Sequence, residues 1–360
     1  MIDQLKPLRD KIDAVDSELL RLISSRAKLA QEIGQIKNGM VYRPDREAQV
    51  LARLCELNQG PLANEHIVRI FTEIMSLCRS MEESLSVAYL GPRGTFSEEA
   101  TLKRFGSVVT ALPCNSIDDV FRKVESGTAR YGVVPVENST EGAVGRTLDL
   151  LLQTPLKVCG EIALPIHQFL LARQCDLGHI KKIYSHPQSF AQCHEWLNVN
   201  LPHLTGEARI NAASNADAAR LAAEDDNAAA VAGKKAGEVY DLGVCAENIE
   251  DEPNNTTRFL VIGGQEVATS GCDKTSLVMS ARNRPGAIHE LLAPFAMHGV
   301  SMCRLESRPA RAGLWEYIFF VDIEGHQQDA KVSQALLEVA EKATFLKVLG
   351  SYPSTSSTFR

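Results

Sequence analysis

Three kinds of hydrophobic spacing follow one another along the chain, and each predicts a different arrangement of secondary structure. Apolar side chains between Leu5 and Ile36 are spaced three and four residues apart, as in the seam of a coiled coil. This spacing predicts one helix of over thirty residues, about 50 Å long at 1.5 Å per residue. The rest of a small helical domain cannot cover a rod of that length, so we expect a partner chain to cover it.

Two shorter helices complete the first segment. The pattern predicts a second helix over residues 44–57 and a third that begins at Asn64 and carries an apolar stripe as far as Cys78. Residues 1–86 are therefore expected to form an all-α helical domain.

From residue 87 onwards short apolar runs alternate with amphipathic stretches, which is the pattern of an α/β domain. Seven runs are predicted as strands: VAYL, VVTAL, YGVVPV, KVCGEIAL, KKIYS, AAAVAG and RFLVIG. Residues 87–264 could form one sheet or two lobes. The continuous segment from Lys157 to Ala172, with Pro165 in its middle, could run from one lobe to the other. Two lobes would leave a cleft between them.

The last segment, residues 275–352, is expected to follow the order strand, helix, strand, strand, helix, strand. This βαββαβ order predicts an α+β, ferredoxin-like module. The polar tail over residues 351–360 is expected to be disordered. Because the three segments are unlike one another and no repeat occurs, we expect three domains in series.

Composition excludes several classes of function. The net charge of the 360-residue chain is −7, which argues against nucleic acid or an anionic membrane as the main partner. No apolar run approaches the roughly 18 residues of a membrane span, and the N-terminus has no apolar signal core. The 9 cysteines are scattered and form no CxxC pair, so neither a disulfide framework nor a structural metal is expected. These features predict a protein of the reducing cytoplasm.

One arginine interrupts the apolar seam of the first helix. An unpaired buried charge costs several kcal/mol, so Arg26 must be paired or must hold an anion. Lys37 returns to within about 20° of the same face, whereas Arg9 could reach that pocket only from a partner helix. Glu47 lies at the start of the second helix, and Glu82 prolongs the stripe of the third. Solvated charge pairs explain any one of these residues equally well, but several cations around an apolar helical core predict a dicarboxylate pocket.

This pattern resembles that of the all-helical chorismate mutases over the whole segment. The stretch LRDKIDAVDSELLRLISSRAKLAQEIGQIK aligns with the long helix of that family without a gap. The resemblance implies an intertwined dimer that binds chorismate. In that arrangement Arg9 and Arg26 bind the two substrate carboxylates, and Lys37 donates to the ether oxygen whose bond breaks. Glu47 takes the substrate hydroxyl.

Three positions depart from the pattern of some mutases. Relatives often have aspartate at the position of Arg43 and serine at the position of Cys78. The roles of these two residues stay open. Glu82 stands where other members have a glutamine as second donor to the ether oxygen. Since an ionised carboxylate can only accept hydrogen bonds, Glu82 must be protonated to assist the reaction. The rearrangement is unimolecular and needs no cofactor.

Polar clusters follow several predicted strands of the middle domain, in GPRGTFSEEA, VPVENSTEGAV, YSHPQSF and NNTTRFLVIG. Such loop-end clusters are where open α/β sheets bind ligands. Taken alone, Ser97 is best explained as the cap of the following helix, and His186 as a structural histidine. The segment contains neither GxGxxG nor a nucleophile elbow, so a dinucleotide and hydrolysis are both disfavoured.

These stretches together resemble prephenate dehydratase across the whole middle domain. The resemblance implies a two-lobed fold like the type 2 periplasmic binding proteins, with prephenate in the cleft and no cofactor. Thr257 would be the essential residue, giving the departing hydroxide a proton or hydrogen bond, and Arg258 would bind a carboxylate. The other cleft residues that the resemblance implies are Phe96, Ser97, Asn138, Ser139, Ser185 and His186.

Two further motifs, RNRPGAIHELL and LESRP, lie in the last domain. Taken alone, they are a close-packing glycine and a charged loop. The domain resembles a phenylalanine-sensing ACT domain, in which these motifs line a pocket at a subunit interface. The resemblance implies that L-phenylalanine contacts Asn283, Gly286, Ala287, Ile288, Ser307 and Arg308.

The three resemblances together predict a bifunctional enzyme that converts chorismate through prephenate to phenylpyruvate and is inhibited by L-phenylalanine. We expect a homodimer or tetramer without a metal. A mutase fused to prephenate dehydrogenase would need a nucleotide fingerprint, and a non-catalytic amino-acid sensor would not need Arg26 on its seam. Removing the chain after Gly264 is expected to leave an active enzyme that no longer senses phenylalanine.

Overall fold

The computed structural model describes residues 2–36, 42–309 and 317–355. In those ranges the α-helices are α1 Ile2–Ile36, α2 Pro44–Leu57, α3 Asn64–Ser80, α4 Phe96–Phe105, α5 Ile117–Glu125, α6 Gly145–Gln153, α7 Pro187–Gln192, α8 His194–Asn200, α9 Asn215–Ala222, α10 Lys234–Tyr240, α11 Ala287–Met297 and α12 Ala330–Lys342. The strands are β1 Ser86–Leu90, β2 Thr110–Cys114, β3 Tyr131–Asn138, β4 Gly142–Ala143, β5 Lys157–Pro165, β6 Phe169–Ala172, β7 Lys182–Ser185, β8 Arg209–Asn211, β9 Ala228–Ala232, β10 Gly243–Ala246, β11 Thr256–Gly263, β12 Asp273–Ala281, β13 Met302–Pro309, β14 Tyr317–Glu324 and β15 Phe345–Pro353.

The first three helices form the N-terminal domain. The 35 residues of α1 form one unbroken helix, as the apolar spacing predicts. Its seam stays exposed in the single chain: Leu8, Ile12 and Val15 are 57%, 58% and 58% exposed. The segment that follows α3 packs closely against α1 at Gly34, where an added Cβ would lie 2.7 Å from Cγ of Glu82. The long rod is thus covered on one narrow side only.

Two separate sheets form the middle of the chain, so the two-lobe alternative holds. The first sheet has the order β2-β1-β3-β11-β5, with β4 beside β3, and the second has the order β10-β6-β9-β7-β8. The chain passes from the first lobe to the second over residues 166–168 and returns over residues 247–255. These two crossing segments are joined by hydrogen bonds from Ile166 N to Asn255 O at 2.8 Å and from Ile249 N to Gln168 O at 2.9 Å.

The C-terminal domain is an antiparallel sheet of order β13-β14-β12-β15 with α11 and α12 packed on one face. Its other face packs against the first lobe. Val278 and Phe320 of the C-terminal sheet share one apolar core with Val136 and Leu260 of the first lobe. Burial of this apolar surface stabilises the contact between the two domains.

The end of the chain corrects one expectation. Residues 351–353 were expected to be disordered, but they complete β15, and Tyr352 is 0% exposed. The ring of Tyr352 fills the core between the first lobe and the C-terminal sheet. Its burial gives this polar segment a fixed position that composition alone does not reveal.

A disulfide between Cys175 and Cys245 corrects another expectation. The two cysteines are 70 residues apart in the sequence, and pairing of β6 with β10 brings them together. Sequence spacing could not reveal this pair, because it depends on an antiparallel contact between strands that are distant along the chain. Among the described residues, no helix is both long and apolar enough to cross a membrane.

Candidate active sites

A cleft of about 1120 Å³ lies between the two lobes. Its floor includes Ile166 and Gln168 of the first crossing segment and Asn255 of the second. Its walls come from the loops at the ends of β1, β3 and β7 and from the start of α9. The volume suits a small organic molecule bound between loops that a rigid scaffold positions.

The turn after β1 forms one wall of the cleft. Gly94 adopts a φ of +86°, which glycine tolerates best, and its N–H donates to Oε2 of Glu98 at 2.6 Å. Thr95 caps α4 by accepting from Glu98 N at 3.4 Å, so the prediction that Ser97 caps this helix is wrong. Ser97 lies one residue inside α4, and both Phe96 and Ser97 line the cleft.

Asn138 and Thr257 meet in the cleft, on the paired strands β3 and β11. The Oδ1 atom of Asn138 accepts from Thr140 N at 3.0 Å and Glu141 N at 3.2 Å, which fixes the orientation of the amide. Its Nδ2 atom then donates to Thr257 Oγ1 at 2.8 Å and to Asn255 Oδ1 at 2.9 Å. Because Thr257 accepts this hydrogen bond, its own hydroxyl proton can be donated to a molecule in the cleft, and no described residue accepts it.

Two cleft residues that the sequence analysis did not select carry buried polar atoms without a partner. They are Asn255, through Nδ2, and Gln168, through Oε1. Leaving such a group unpaired costs about 1–3 kcal/mol, and native proteins tolerate it mainly where function requires it. Asn255 lies within the NNTTRFLVIG stretch, beside Thr257. Gln168 carried no signal, because only the crossing of the chain between the lobes brings it to the cleft.

Arg258 does not line the cleft, which corrects the prediction that it binds a substrate carboxylate there. Successive side chains of a strand point to opposite faces, so the residue after Thr257 points away from the cleft. Its Nε donates to Glu161 Oε2 at 2.9 Å and its Nη1 to Asp322 Oδ2 at 2.6 Å. Burial alone would lower the pKa of Arg258, but the hydroxyl of Tyr352 and these carboxylates together raise it.

The remaining predicted cleft residues divide into two groups. His186 lines the cleft and caps α7 by accepting from Gln188 N through Nδ1 at 3.3 Å. Ser185 is 0% exposed, and its hydroxyl donates to the Val231 carbonyl at 3.1 Å. Ser139 donates to Asn255 Oδ1 at 3.3 Å. Ser185 therefore supports the cleft from behind, whereas Ser139 is exposed and holds Asn255; neither residue lines the cleft, which corrects both predictions.

The cleft carries little fixed charge. Among its described lining residues, Arg93 is the sole lysine or arginine, and Asp217 the sole carboxylate. The side chain of Arg93 is 70% exposed, and its Nε lies 3.7 Å from Oε1 of Glu98. Within the parts of the chain that the structure describes, no group of three or more His, Cys, Asp or Glu side chains could hold a metal ion.

The helical domain brings only some of its predicted site residues together. Arg26 is half-buried on α1 and Arg9 is exposed, and a separation of 17 positions corresponds to about 25 Å along the helix. Arg9 of the same chain is therefore out of reach of Arg26. Glu82 lies against Gly34 on α1. The prediction for Lys37 lies outside the described residues.

Glu47 differs from its predicted role. Its Oε1 accepts a hydrogen bond from Nη1 of Arg79, which is only 6% exposed and also donates to the carbonyl of Phe105 at 2.8 Å. A buried guanidinium needs such an anion, so Glu47 is directed to the boundary with the first lobe. Arg43 forms an ion pair with Asp45, with Nη2 to Oδ2 at 2.6 Å.

The predicted effector residues lie at one end of the C-terminal sheet. Ala281, which ends β12, and Pro309, which ends β13, both pair with Tyr317, so the ends of the two strands lie close together. Most of the predicted residues are exposed or half-exposed there: Asn283, Gly286, Ala287, Ile288 and Ser307. The prediction that Arg308 contacts the effector is corrected. Its Nη1 donates to the carbonyl of Gly145 and lies 3.1 Å from Oδ1 of Asp149, both in the first lobe.

Comparison with protein families finds three matches in series. The family model for chorismate mutase type II matches residues 8–83. The model for prephenate dehydratase matches residues 87–267, and that for the ACT domain matches residues 275–341.

Similar proteins are found over the whole chain and over its last two domains. The bifunctional chorismate mutase/prephenate dehydratase of Neisseria gonorrhoeae is 52% identical over 358 residues, 98% of each chain. The protein of that name from Escherichia coli K12 is 35% identical and covers 97% of this chain and 96% of its own. The crystal structure of prephenate dehydratase in complex with L-Phe from Arthrobacter aurescens superposes with a TM-score of 0.70 at 34% identity, covering 76% of this chain and 91% of that one.

Proposed function

Because the chain belongs to the family of bifunctional chorismate mutase/prephenate dehydratases, we propose that its two activities are divided between the helical domain and the inter-lobe cleft. Chorismate is rearranged to prephenate in the helical domain. Prephenate then loses carbon dioxide and hydroxide in the cleft, giving phenylpyruvate. The domains that we assign to these steps are residues 1–86 and 87–264, followed by an ACT regulatory domain over residues 275–352.

The hydrogen bond from Asn138 to Thr257 is the observation that carries the dehydratase proposal. In the reaction the bond to the ring carboxylate breaks, its electron pair forms a ring double bond, and the carbon–oxygen bond breaks to release hydroxide. Negative charge grows on the departing oxygen, and Thr257 stabilises it by donating a hydrogen bond. Thr257 can do so without ionising. Its oxygen accepts the hydrogen bond from Asn138, which leaves its hydroxyl proton free to be donated to the substrate.

Arg93 takes over the role predicted for Arg258 in binding a substrate carboxylate. Prephenate is a dicarboxylate, and Arg93 is the sole fixed cation among the described residues of the cleft. Its side chain is 70% exposed at the edge of the cleft, so a substrate carboxylate can bind the guanidinium from the solvent side, opposite the buried Glu98. The two-lobed arrangement with two crossing segments supports a fold like that of the type 2 periplasmic binding proteins.

The exposed seam of α1 supports an intertwined dimer for the mutase. Burying one leucine or isoleucine side chain contributes about 1.5–3 kcal/mol, and the seam offers a row of them along the whole helix. In such a dimer Arg9 of one chain reaches the Arg26 pocket of the other. Lys37 and Glu82 then act as donors to the ether oxygen at the end of that pocket.

The C-terminal domain supplies the regulation. Its strand and helix order supports a ferredoxin-like ACT fold, and the exposed residues at one end of its sheet support binding of L-phenylalanine there. Binding shifts the enzyme only if the effector has unequal affinity for two states of the oligomer.

A coupled assay tests the proposal as a whole. The purified chain should form phenylpyruvate from chorismate without added nucleotide or metal. Thr257→Ala should abolish formation of phenylpyruvate from prephenate and leave chorismate consumption intact, while Arg26→Ala should do the reverse. Equal loss of both activities in either soluble variant would contradict the division of the two sites between two domains.

A further inference from the structure

Strands β3 and β11 carry the cleft residues Asn138 and Thr257 directly opposite each other. The neighbouring pair on the same two strands is Glu137 opposite Arg258. Because successive side chains of a strand point to opposite faces, the second pair lies on the face turned away from the cleft. The lining of the cleft agrees, since it includes Asn138 and Thr257 but neither Glu137 nor Arg258.

Three strands of the C-terminal sheet hold this second pair. Arg258 Nη1 donates to Oδ2 of Asp322 on β14 at 2.6 Å, and its Nη2 donates to the hydroxyl of Tyr352 on β15 at 3.0 Å. Arg304 on β13 forms an ion pair with Glu137, with Nε 2.9 Å from Oε2. The backs of both catalytic strands are therefore attached to the same sheet.

Glu161 on β5 connects the remaining strand of the C-terminal sheet. Its Oε2 accepts from Arg258 Nε at 2.9 Å, and its Oε1 accepts from Nζ of Lys274 on β12 at 2.8 Å. The side chains of Glu161 and Asp322 are only 1% and 6% exposed. A buried charge that loses its partner is strongly destabilised, so the C-terminal sheet cannot shift against β11 unless Arg258 follows it.

We propose that Arg258 and Glu137 are positioning residues, through which the C-terminal sheet sets the places of Thr257 and Asn138 in the cleft. The inference rests on the proposed function and identifies the contacts by which its regulation reaches the dehydratase. A small displacement at the back of the two strands changes the distance between the hydroxyl of Thr257 and the departing oxygen of the substrate. Catalysis is sensitive to such distances.

The contacts of Arg258, Glu137 and Glu161 with the C-terminal sheet are called the joint. Strand β13 connects the effector end of that sheet to the joint. Ser307 is exposed at the predicted effector site, and Arg304, three residues before it, holds Glu137. An effector that moves β13 therefore displaces Glu137, the residue beside Asn138. The same contacts explain how a ligand outside the cleft changes turnover without touching the substrate.

The test uses the full-length enzyme with Asp322→Asn and Glu137→Gln, which keep the shape of the side chain and remove its charge. Asp118→Asn is the matched control, because Asp118 pairs with Arg146 through both oxygens at an exposed site away from the joint. Each variant is assayed for kcat and KM with prephenate, for inhibition and binding by L-phenylalanine, and for mutase turnover. We expect kcat with prephenate to fall about ten- to a hundredfold, while KM and mutase turnover stay within about twofold of wild type.

L-phenylalanine should still bind to both variants in calorimetry, but the ratio by which it changes dehydratase turnover should shrink by about fivefold or more. Unchanged kcat and unchanged inhibition in both variants would overturn the proposal. So would a rise in KM at constant kcat, or an equal loss of mutase and dehydratase turnover in Glu137→Gln. If Asp322→Asn does not fold, Glu137→Gln decides alone, since its side chain is 38% exposed. Failure of the wild-type enzyme to act on prephenate would instead refute the proposed function itself.

Discussion

A single side chain, that of Asn138, determines which atoms of Thr257 and Asn255 can donate hydrogen bonds into the cleft. Two backbone N–H groups hold its carbonyl oxygen, so its amide nitrogen must face Thr257 and Asn255. Thr257 is left as a donor, and so is the buried Nδ2 of Asn255. A site that must stabilise a departing hydroxide requires donors of this kind.

Replacing this amide by a carboxylate should reverse the hydrogen bond. In Asn138→Asp the group beside Thr257 can only accept, so the hydroxyl proton of Thr257 is donated to it and no longer to the substrate. We expect kcat for prephenate to fall about 10²- to 10⁴-fold with mutase turnover unchanged. Steady-state kinetics measures this, with Asn200→Asp as control, since Asn200 donates a comparable hydrogen bond at an exposed site. Equal kcat values in the two variants would contradict the assignment.

Glu82 gives a prediction for the mutase. Because its carboxyl must be protonated to donate to the ether oxygen, chorismate consumption should rise as the pH falls below neutrality. Glu82→Gln, a permanent donor of the same shape, should flatten that profile and gain most at high pH. Turnover measured from about pH 5 to pH 9 checks it. Parallel profiles would show that Glu82 does not act on the reacting oxygen.

The sequence could predict residue roles where a motif lies at the end of a strand or the start of a helix that borders the cleft, and it failed where a role depends on the opposite face of a strand. Phe96, Asn138 and Thr257 line the cleft as expected. Arg258 follows Thr257 directly, and only the position of the C-terminal sheet shows that the opposite face has its own partners. The local sequence pattern does not show that a distant part of the chain buries a side chain.

At the scale of elements, α1 is the clearest case of a feature that the single chain leaves incomplete. Its leucine and isoleucine seam is exposed from Leu5 to Ile33, although an amphipathic helix is normally stabilised by packing of its apolar face. A second copy of the same helix would cover it.

A charge placed on that seam should separate the chains. Ile12→Glu introduces a carboxylate into the proposed contact, and Ser17→Glu adds the same group on the opposite side of the helix. Sedimentation should show a smaller oligomer for Ile12→Glu alone, with at least a tenfold loss of mutase kcat/KM, because burying a charge costs more than the contact of one side chain provides. The dehydratase should persist in both variants. An unchanged oligomer would argue against α1 as the dimer contact.

The elements themselves were largely predictable. All seven strands expected in the middle domain are present, as are the three N-terminal helices. The strands β4, β6, β8 and β10, of two to four residues each, were not predicted. Such short strands carry too few residues to show a period, and β6, β8 and β10 pair with strands that are distant in sequence.

At the scale of the whole molecule, the domains are less independent than the sequence suggests. The first lobe and the C-terminal sheet share one apolar core, and Arg258 and Glu161 lie between them among carboxylates and cations. Cutting the chain after Gly264 would expose that core and leave Arg258 without Asp322. A fragment cut there would therefore lose contacts that support β11, and single substitutions at the joint are the better probe of regulation.

The contact between the helical domain and the first lobe predicts a loss of stability in alkali. Tyr42 packs against the ring of Phe105, with centroids 4.9 Å apart, and burial raises its pKa to about 12. An unfolded tyrosine ionises near pH 10. The stabilisation of the folded state by the buried neutral hydroxyl of Tyr42 is therefore complete below pH 10 and is lost as the pH rises towards 12. The free energy of unfolding should fall by about 2–3 kcal/mol over this interval.

Urea unfolding of Tyr42→Phe between pH 9 and about pH 12 measures that contribution. The slope of stability against pH should be shallower for Tyr42→Phe than for wild type. Tyr317→Phe, at a site 45% exposed, should keep the wild-type slope. Identical slopes for all three proteins would show that ionisation of Tyr42 does not limit stability in alkali.

The position of Tyr352 also has a consequence for the order of events during synthesis on the ribosome. Domains generally fold as units, beginning with the part that emerges first, so the helices and both lobes can form while β15 is still untranslated. Until then Arg258 lacks its hydrogen bond to the hydroxyl of Tyr352, because Tyr352 belongs to the last strand in chain order among those described. A nascent chain can assemble its cleft before it reaches β15, but it acquires the complete support behind Thr257 only after translation has passed that strand.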